Sequence, residues 1–81
     1  MRAKHKEAFD KLREAGIAVQ ESKNKDYGVF WINCETGSVK TELALEYYDN
    51  YWGSEFLNDT LEESGLYFEW DSPAYATVEM L

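Results

Sequence analysis

Cysteine, histidine and proline are each present only once among the 81 residues. The lone cysteine, Cys34, cannot close an internal disulfide, and the lone histidine, His5, cannot supply a ligand cluster. A disulfide scaffold and a histidine-based metal centre are therefore not expected. Basic residues are also scarce, eight Lys and Arg against sixteen Asp and Glu, which leaves a net charge of −8. That balance disfavours electrostatic attraction to a phosphate backbone or to anionic lipid. No apolar run approaches the roughly 18 residues of a membrane span. The opening Met1-Arg2-Ala3-Lys4-His5-Lys6 lacks the apolar stretch of a signal peptide. The expectation is a soluble, cytoplasmic chain that binds neither nucleic acid nor membrane directly and carries no cofactor and no metal.

What is present is enough to fold. Hydrophobic residues make up 44% of the chain and aromatic residues 16%, and 81 residues leave room for one core, hence a single domain over residues 1–81. From His5, the residues Ala8, Phe9, Leu12 and Ala15 recur every three or four positions, which predicts a helix near 5–15 ended by Gly16. A strand is expected over Ile17–Ser22, then a hairpin loop at Lys23-Asn24-Lys25-Asp26. Tyr27–Asn33 is apolar on both alternating faces, Val29 and Trp31 against Phe30 and Ile32, as in a central strand covered on both sides. Cys34-Glu35-Thr36-Gly37 has bulged-turn chemistry, with Gly37 able to take a positive φ, so the next segment should return antiparallel.

That segment, Val39–Tyr47, supports two readings. Its period-two pattern groups Val39, Thr41, Leu43, Leu45 and Tyr47 opposite Lys40, Glu42 and Glu46, which predicts a third strand. The rival is an amphipathic helix from about Thr41, built on the helix formers Glu42-Leu43-Ala44-Leu45-Glu46. Ser54 then suits an N-cap, Leu57 and Leu61 lie four apart, and Gly65 suits a stop, giving a helix near 54–64. Leu66, Phe68 and Trp70 share one face of a strand, and after Ser72-Pro73-Ala74 a last strand groups Ala76, Val78 and Met80. The unit Leu12-x-x-Ala15-Gly16-Ile17-x-Val19 is matched by Leu61-x-x-Ser64-Gly65-Leu66-x-Phe68. The expected fold class is α+β, one antiparallel sheet of about five strands with two helices, in the order α-β-β-β-α-β-β.

Charge is divided along the chain. Residues 1–26 hold seven of the eight basic residues with five acids, whereas residues 27–81 hold Lys40 alone against eleven acids. Glu55, Asp59 and Glu62 fall near one another along the second predicted helix, and Glu69 and Asp71 stand two apart on a strand, about 6.6 Å by the rise per residue. Tyr47, Tyr48, Tyr51 and Trp52 surround Asp49 in a predicted connection, and Tyr and Trp are common anchors of protein interfaces.

Other chemistry is weakly supported. Cys34 has only Asn33 and Glu35 beside it and reads as a plain turn residue, since a nucleophilic thiolate needs a base or a positive field. His5, among Arg2, Lys4 and Lys6, reads as an exposed helix residue. Asp49-x-Tyr51-x-Gly53 places an aromatic where a calcium loop needs oxygen, and Asn58-Asp59-Thr60 falls within a predicted helix, where its glycosylation triplet is a chance match. Carboxylates are abundant, but no pair is singled out for acid–base work, and a domain this small has little volume for a substrate cleft, so an enzyme is not expected.

These features point to a small acidic inhibitor or antagonist that binds a basic protein partner, one of the kind that handles nucleic acid. The carboxylates Asp49, Glu55, Asp59, Glu62, Glu69 and Asp71 would steer, and Tyr47, Tyr48, Tyr51 and Trp52 would anchor. In size and charge alone the chain is like phage-encoded antidefence proteins, such as anti-CRISPR and DNA-mimicking antirestriction factors, and like immunity proteins against nuclease toxins. It matches no motif of theirs. A monomer or a homodimer is consistent with this reading. The alternative is a structural or assembly subunit that self-associates through a sheet edge or the 47–52 aromatic segment.

Overall fold

The structure, a computed structural model, describes residues 1–23, 27–35 and 39–81. In chain order its elements are α1 (Ala3–Glu14), β1 (Val19–Glu21), β2 (Phe30–Asn33), α2 (Val39–Ala44), α3 (Glu55–Glu63), β3 (Leu66–Ser72) and β4 (Tyr75–Met80). The expected loop at 23–26 and turn at 34–37 fall mostly on residues 24–26 and 36–38, outside the described residues, Gly37 included.

Two glycines set the course of the chain. At the end of α1 the N–H of Gly16 bonds the Arg13 carbonyl at 3.0 Å and the N–H of Ile17 bonds that of Leu12 at 3.0 Å. This paired closure requires a left-handed residue, and Gly16 has φ 89°. Gly65, with φ 71°, stands in the corresponding place after α3, its N–H bonding the Glu62 carbonyl at 3.0 Å. Ser54 starts α3 as an N-cap, its side chain accepting from the Leu57 N–H at 3.1 Å. Each glycine leads directly into an antiparallel hairpin, β1–β2 after α1 and β3–β4 after α3.

The sheet order is β1-β2-β4-β3, so the two hairpins meet through their second strands, with Phe30 opposite Val78 and Ile32 opposite Ala76. All three pairings are antiparallel. The helices cover one face. Leu12 of α1, Leu57 and Leu61 of α3, and Phe30, Ile32, Leu66, Ala76 and Val78 of the sheet are fully buried together, and Phe9 meets Phe30 edge-on at 5.3 Å.

Residues 39–47 do not form the expected third strand. They begin with α2, whose buried residues Thr41 and Ala44, followed by buried Leu45, have helical spacing. Val39 and Leu43, expected on the core face of a strand, are 70% and 73% exposed. The sheet explains the outcome. β2, the strand this segment was expected to pair with, already has β1 on one edge and β4 on the other, so neither of its edges is open. Four strands and three helices therefore replace five and two. The Thr41 hydroxyl also accepts from the Ala18 N–H at 2.8 Å, tying α2 to the entry of β1.

Two further expectations change. β2 is central but is covered on one face only: Trp31 on the open face stays half-buried against Tyr27 and Tyr75, whereas Val29, expected beside it, precedes the strand and packs against the core. His5 is buried on the inner side of α1, not exposed. Burial, with the charges of Arg2 and the N-terminus, holds its imidazolium below the ordinary pKa of 6.5.

Two measurements test these contacts. Thr41→Val should lower unfolding stability by about 1–3 kcal/mol in urea, because the Ala18 N–H loses its acceptor with little change in volume, and Thr41→Ser should retain part of it. For His5, the unfolded chain takes up the proton before the folded one, so the contribution of the neutral imidazole is present above pH 6.5 and is lost as pH falls below it. Between about pH 7.5 and 5 the melting temperature of His5→Gln should fall less steeply than that of the unmodified protein.

Candidate functional site

The connection between α2 and α3 is a closed and heavily bonded loop. Glu46 and Asn50 exchange backbone hydrogen bonds at 3.1 and 2.8 Å, and the Asp49 N–H bonds the Glu46 carboxylate at 2.6 Å. The Asn50 side chain donates to the Leu43 carbonyl at 3.0 Å, and the Ser54 N–H closes onto the Ala44 carbonyl at 2.7 Å. From α3, Asn58 donates to the carbonyls of Trp52 at 2.8 Å and Ser54 at 3.1 Å. From β3, the indole N–H of Trp70 donates to the Tyr51 carbonyl at 2.8 Å.

This scaffold divides the four aromatics by role. Tyr47 meets Trp70 edge-on at 5.3 Å and Tyr51 at 5.3 Å, while Tyr51 stacks on Trp70 at 5.7 Å. These two tyrosines and Trp70 support one another. Tyr48 and Trp52 rest edge-on against that support at 5.1 and 5.0 Å, yet remain 79% and 81% exposed. Large aromatics left in water on a loop whose backbone is held in place are suited to bind, because contact with a partner would remove their apolar surface from water.

The predicted carboxylates do not form one face. Glu55, Asp59 and Glu62 are exposed on α3, which packs on the covered side of the sheet, whereas Glu69 is exposed on the opposite, open side beside Tyr67. Asp71 sits at a bulge between Trp70 and Ser72 and accepts a hydrogen bond from the Tyr75 hydroxyl. That bond, the largest influence, pushes the Tyr75 pKa up to about 12. A groove of about 280 Å³ is lined by Tyr51 and Trp52 of the loop, Asn58 of α3, and Tyr67, Phe68, Glu69 and Trp70 of β3. Asp49 is exposed at the loop tip.

Sequence reasoning missed Trp70, Tyr67, Phe68 and Asn58. The alternation of β3 does set Tyr67 and Glu69 opposite Leu66, Phe68 and Trp70, but nothing local indicates that Trp70 meets a loop nineteen residues earlier. Also missed is the aromatic group of Tyr27, Trp31 and Tyr75 on the open face, with ring centroids 5.7–6.2 Å apart. Among the described residues no three His, Cys, Asp or Glu side chains converge as a metal site would require, and no helix is long and apolar enough to cross a membrane. The Cys34 thiol is half-buried and faces the Ile32 carbonyl at 3.7 Å, and burial pushes its pKa up to about 12, away from the thiolate that a nucleophile needs. The amide of Asn58 is engaged in holding the loop.

The division of roles predicts a division of costs. Trp52→Ala should change unfolding stability by less than about 0.5 kcal/mol. Tyr51→Ala should cost about 1 kcal/mol through its lost ring contacts, and Trp70→Phe about 1 kcal/mol through its lost hydrogen bond. Urea midpoints of the three variants decide this.

Comparison of the chain with protein-family models, with curated proteins and with solved structures returns no match.

Proposed function

We propose that this protein is a small acidic antagonist that binds a partner protein and covers a basic surface which otherwise handles nucleic acid. The observation that supports this reading best is the pair Tyr48 and Trp52, 79% and 81% exposed on a loop whose backbone is held from both α3 and β3. No Lys or Arg follows Lys40, so every charged side chain of the loop, α3, β3 and β4 is acidic. A surface of this kind attracts a cationic partner and repels phosphate. Carboxylates would then occupy the positions that nucleic-acid phosphates take on the partner, guiding approach, while Trp52 and Tyr48 are buried in contact and slow departure.

The test begins with capture of partners by the immobilised protein, followed by stopped-flow kinetics with the partner so identified. Association should slow as salt rises from about 50 to 300 mM while dissociation changes less. Trp52→Ala should weaken binding by about 2 kcal/mol while the fold stays intact. The protein should also displace nucleic acid from that partner in stoichiometric amounts. An association rate independent of salt would reduce the carboxylates to a solubility device. Self-association at micromolar concentration without a heterologous partner would favour an assembly subunit.

A further inference from the structure

The phase of the β3–β4 ladder determines which backbone groups of β3 are already used. The Leu81 N–H bonds the Gly65 carbonyl at 3.0 Å, and the register pairs Tyr67 with Glu79, Phe68 with Val78 and Glu69 with Thr77. In an antiparallel ladder hydrogen-bonded pairs alternate with non-bonded pairs. Residues in step with Gly65, namely Tyr67 and Glu69, therefore direct their N–H and C=O groups at β4. Those of Phe68 and Trp70 point away from the sheet. The other side of β4 agrees, since the Val78 carbonyl accepts from the Val29 N–H at 2.8 Å and so faces β2. β3 is the last strand of the sheet, and among the described residues the backbone groups of Phe68 and Trp70 have no partner outside it.

Exposed sheet edges are usually blunted by lysine, by a bulge or by a covering segment. β3 carries no lysine, its bulge lies at its far end, between Trp70 and Ser72, and the neighbouring loop is bonded to the Trp70 side chain and not to the β3 backbone. Phe68 and Trp70 line a groove together with Tyr51, Trp52, Asn58, Tyr67 and Glu69. A free backbone edge that opens onto a side-chain-lined groove is the arrangement by which a sheet accepts an added strand.

We propose that the outer edge of β3 is a strand-addition site for an extended, Lys- or Arg-bearing segment of a partner protein. The proposal rests on the basic-partner reading above and specifies how that partner is held. The segment would exchange main-chain hydrogen bonds with Phe68 and Trp70, and its side chains would alternate between Trp52 and Glu69. Charge selects this occupant over a second copy. Two chains of net charge −8 would repel, and antiparallel pairing of two β3 edges about Phe68 would supply no cation for either Glu69.

The experiment uses the full chain, labelled with ¹⁵N, and a capped peptide of about nine residues alternating Arg and Val. Three controls are the same peptide N-methylated at every second residue in either of the two phases, and a version with Glu in place of Arg. In the free protein the amides of Phe68 and Trp70 should exchange with solvent at least about tenfold faster than those of Tyr67 and Glu69. Saturation with the Arg-Val peptide should slow Phe68 and Trp70 by about tenfold or more and leave Tyr67 and Glu69 little changed. One N-methylated phase and the Glu peptide should fail to do so. Chemical-shift changes confined to Tyr48 and Trp52, with no slowing at Phe68, would overturn strand addition and leave the basic-partner reading standing. Absence of binding, or equal binding by both N-methylated peptides, would also overturn it. Concentration-dependent protection of Phe68 in the free chain would assign the edge to a second copy.

Discussion

The antiparallel pairing of β2 with β4 is the contact on which the other features depend. Each glycine-ended helix and its hairpin is a local unit, and a two-stranded hairpin alone is marginal in water. Pairing Phe30 with Val78 and Ile32 with Ala76 joins the units into four strands and lets Leu12 and Leu61 share one core. It also fills the second edge of β2. Residues 39–44 are thereby left to fold as α2, while β3 is left as the outermost strand with a free edge.

Placement of the functional surface follows from that arrangement. The segment leaving α2 reaches α3 through the loop of residues 46–54, and the loop is held against β3 by the Trp70 indole. Exposed aromatics, an open strand edge and carboxylates on both sides of it thus occur at one end of the sheet. The basic residues lie mostly in α1 and just after β1. Their one described tie to the acidic half is Lys11 with Glu63 at 3.8 Å, an exposed pair of the kind that contributes little to stability. The acidic surface is consequently left largely uncompensated, with salt screening limiting the repulsion between its more distant charges.

Much of the fold was legible because it is encoded by neighbours in sequence. Phe9 and Leu12 mark the inner side of α1, Ser54 caps α3, Gly16 and Gly65 end their helices, and Ser72-Pro73-Ala74 turns the last hairpin. The candidate site was legible in part. The 47–52 segment was legible as an aromatic cluster in a connection, whereas its division into exposed Tyr48 and Trp52 and supporting Tyr47 and Tyr51 depends on Trp70. Glu69 and Glu55 read as members of one acidic face, but the sheet lies between them.

The sequence by itself determined the elements whose conformation is a local matter: a positive φ that glycine tolerates, a side-chain oxygen that meets a helix N–H, and a run of apolar residues at one period. Only the tertiary structure decided the rest. Residues 39–47 carry both periods, and the competition was settled by the pairing of β4 with β2, which filled the edge that a third strand would have taken. His5 became buried because helix packing covered its side of α1, and Trp31 stayed half-open because no helix covered its side of the sheet. These outcomes turn on contacts between residues far apart in the chain, and such contacts form only when the two hairpins pair.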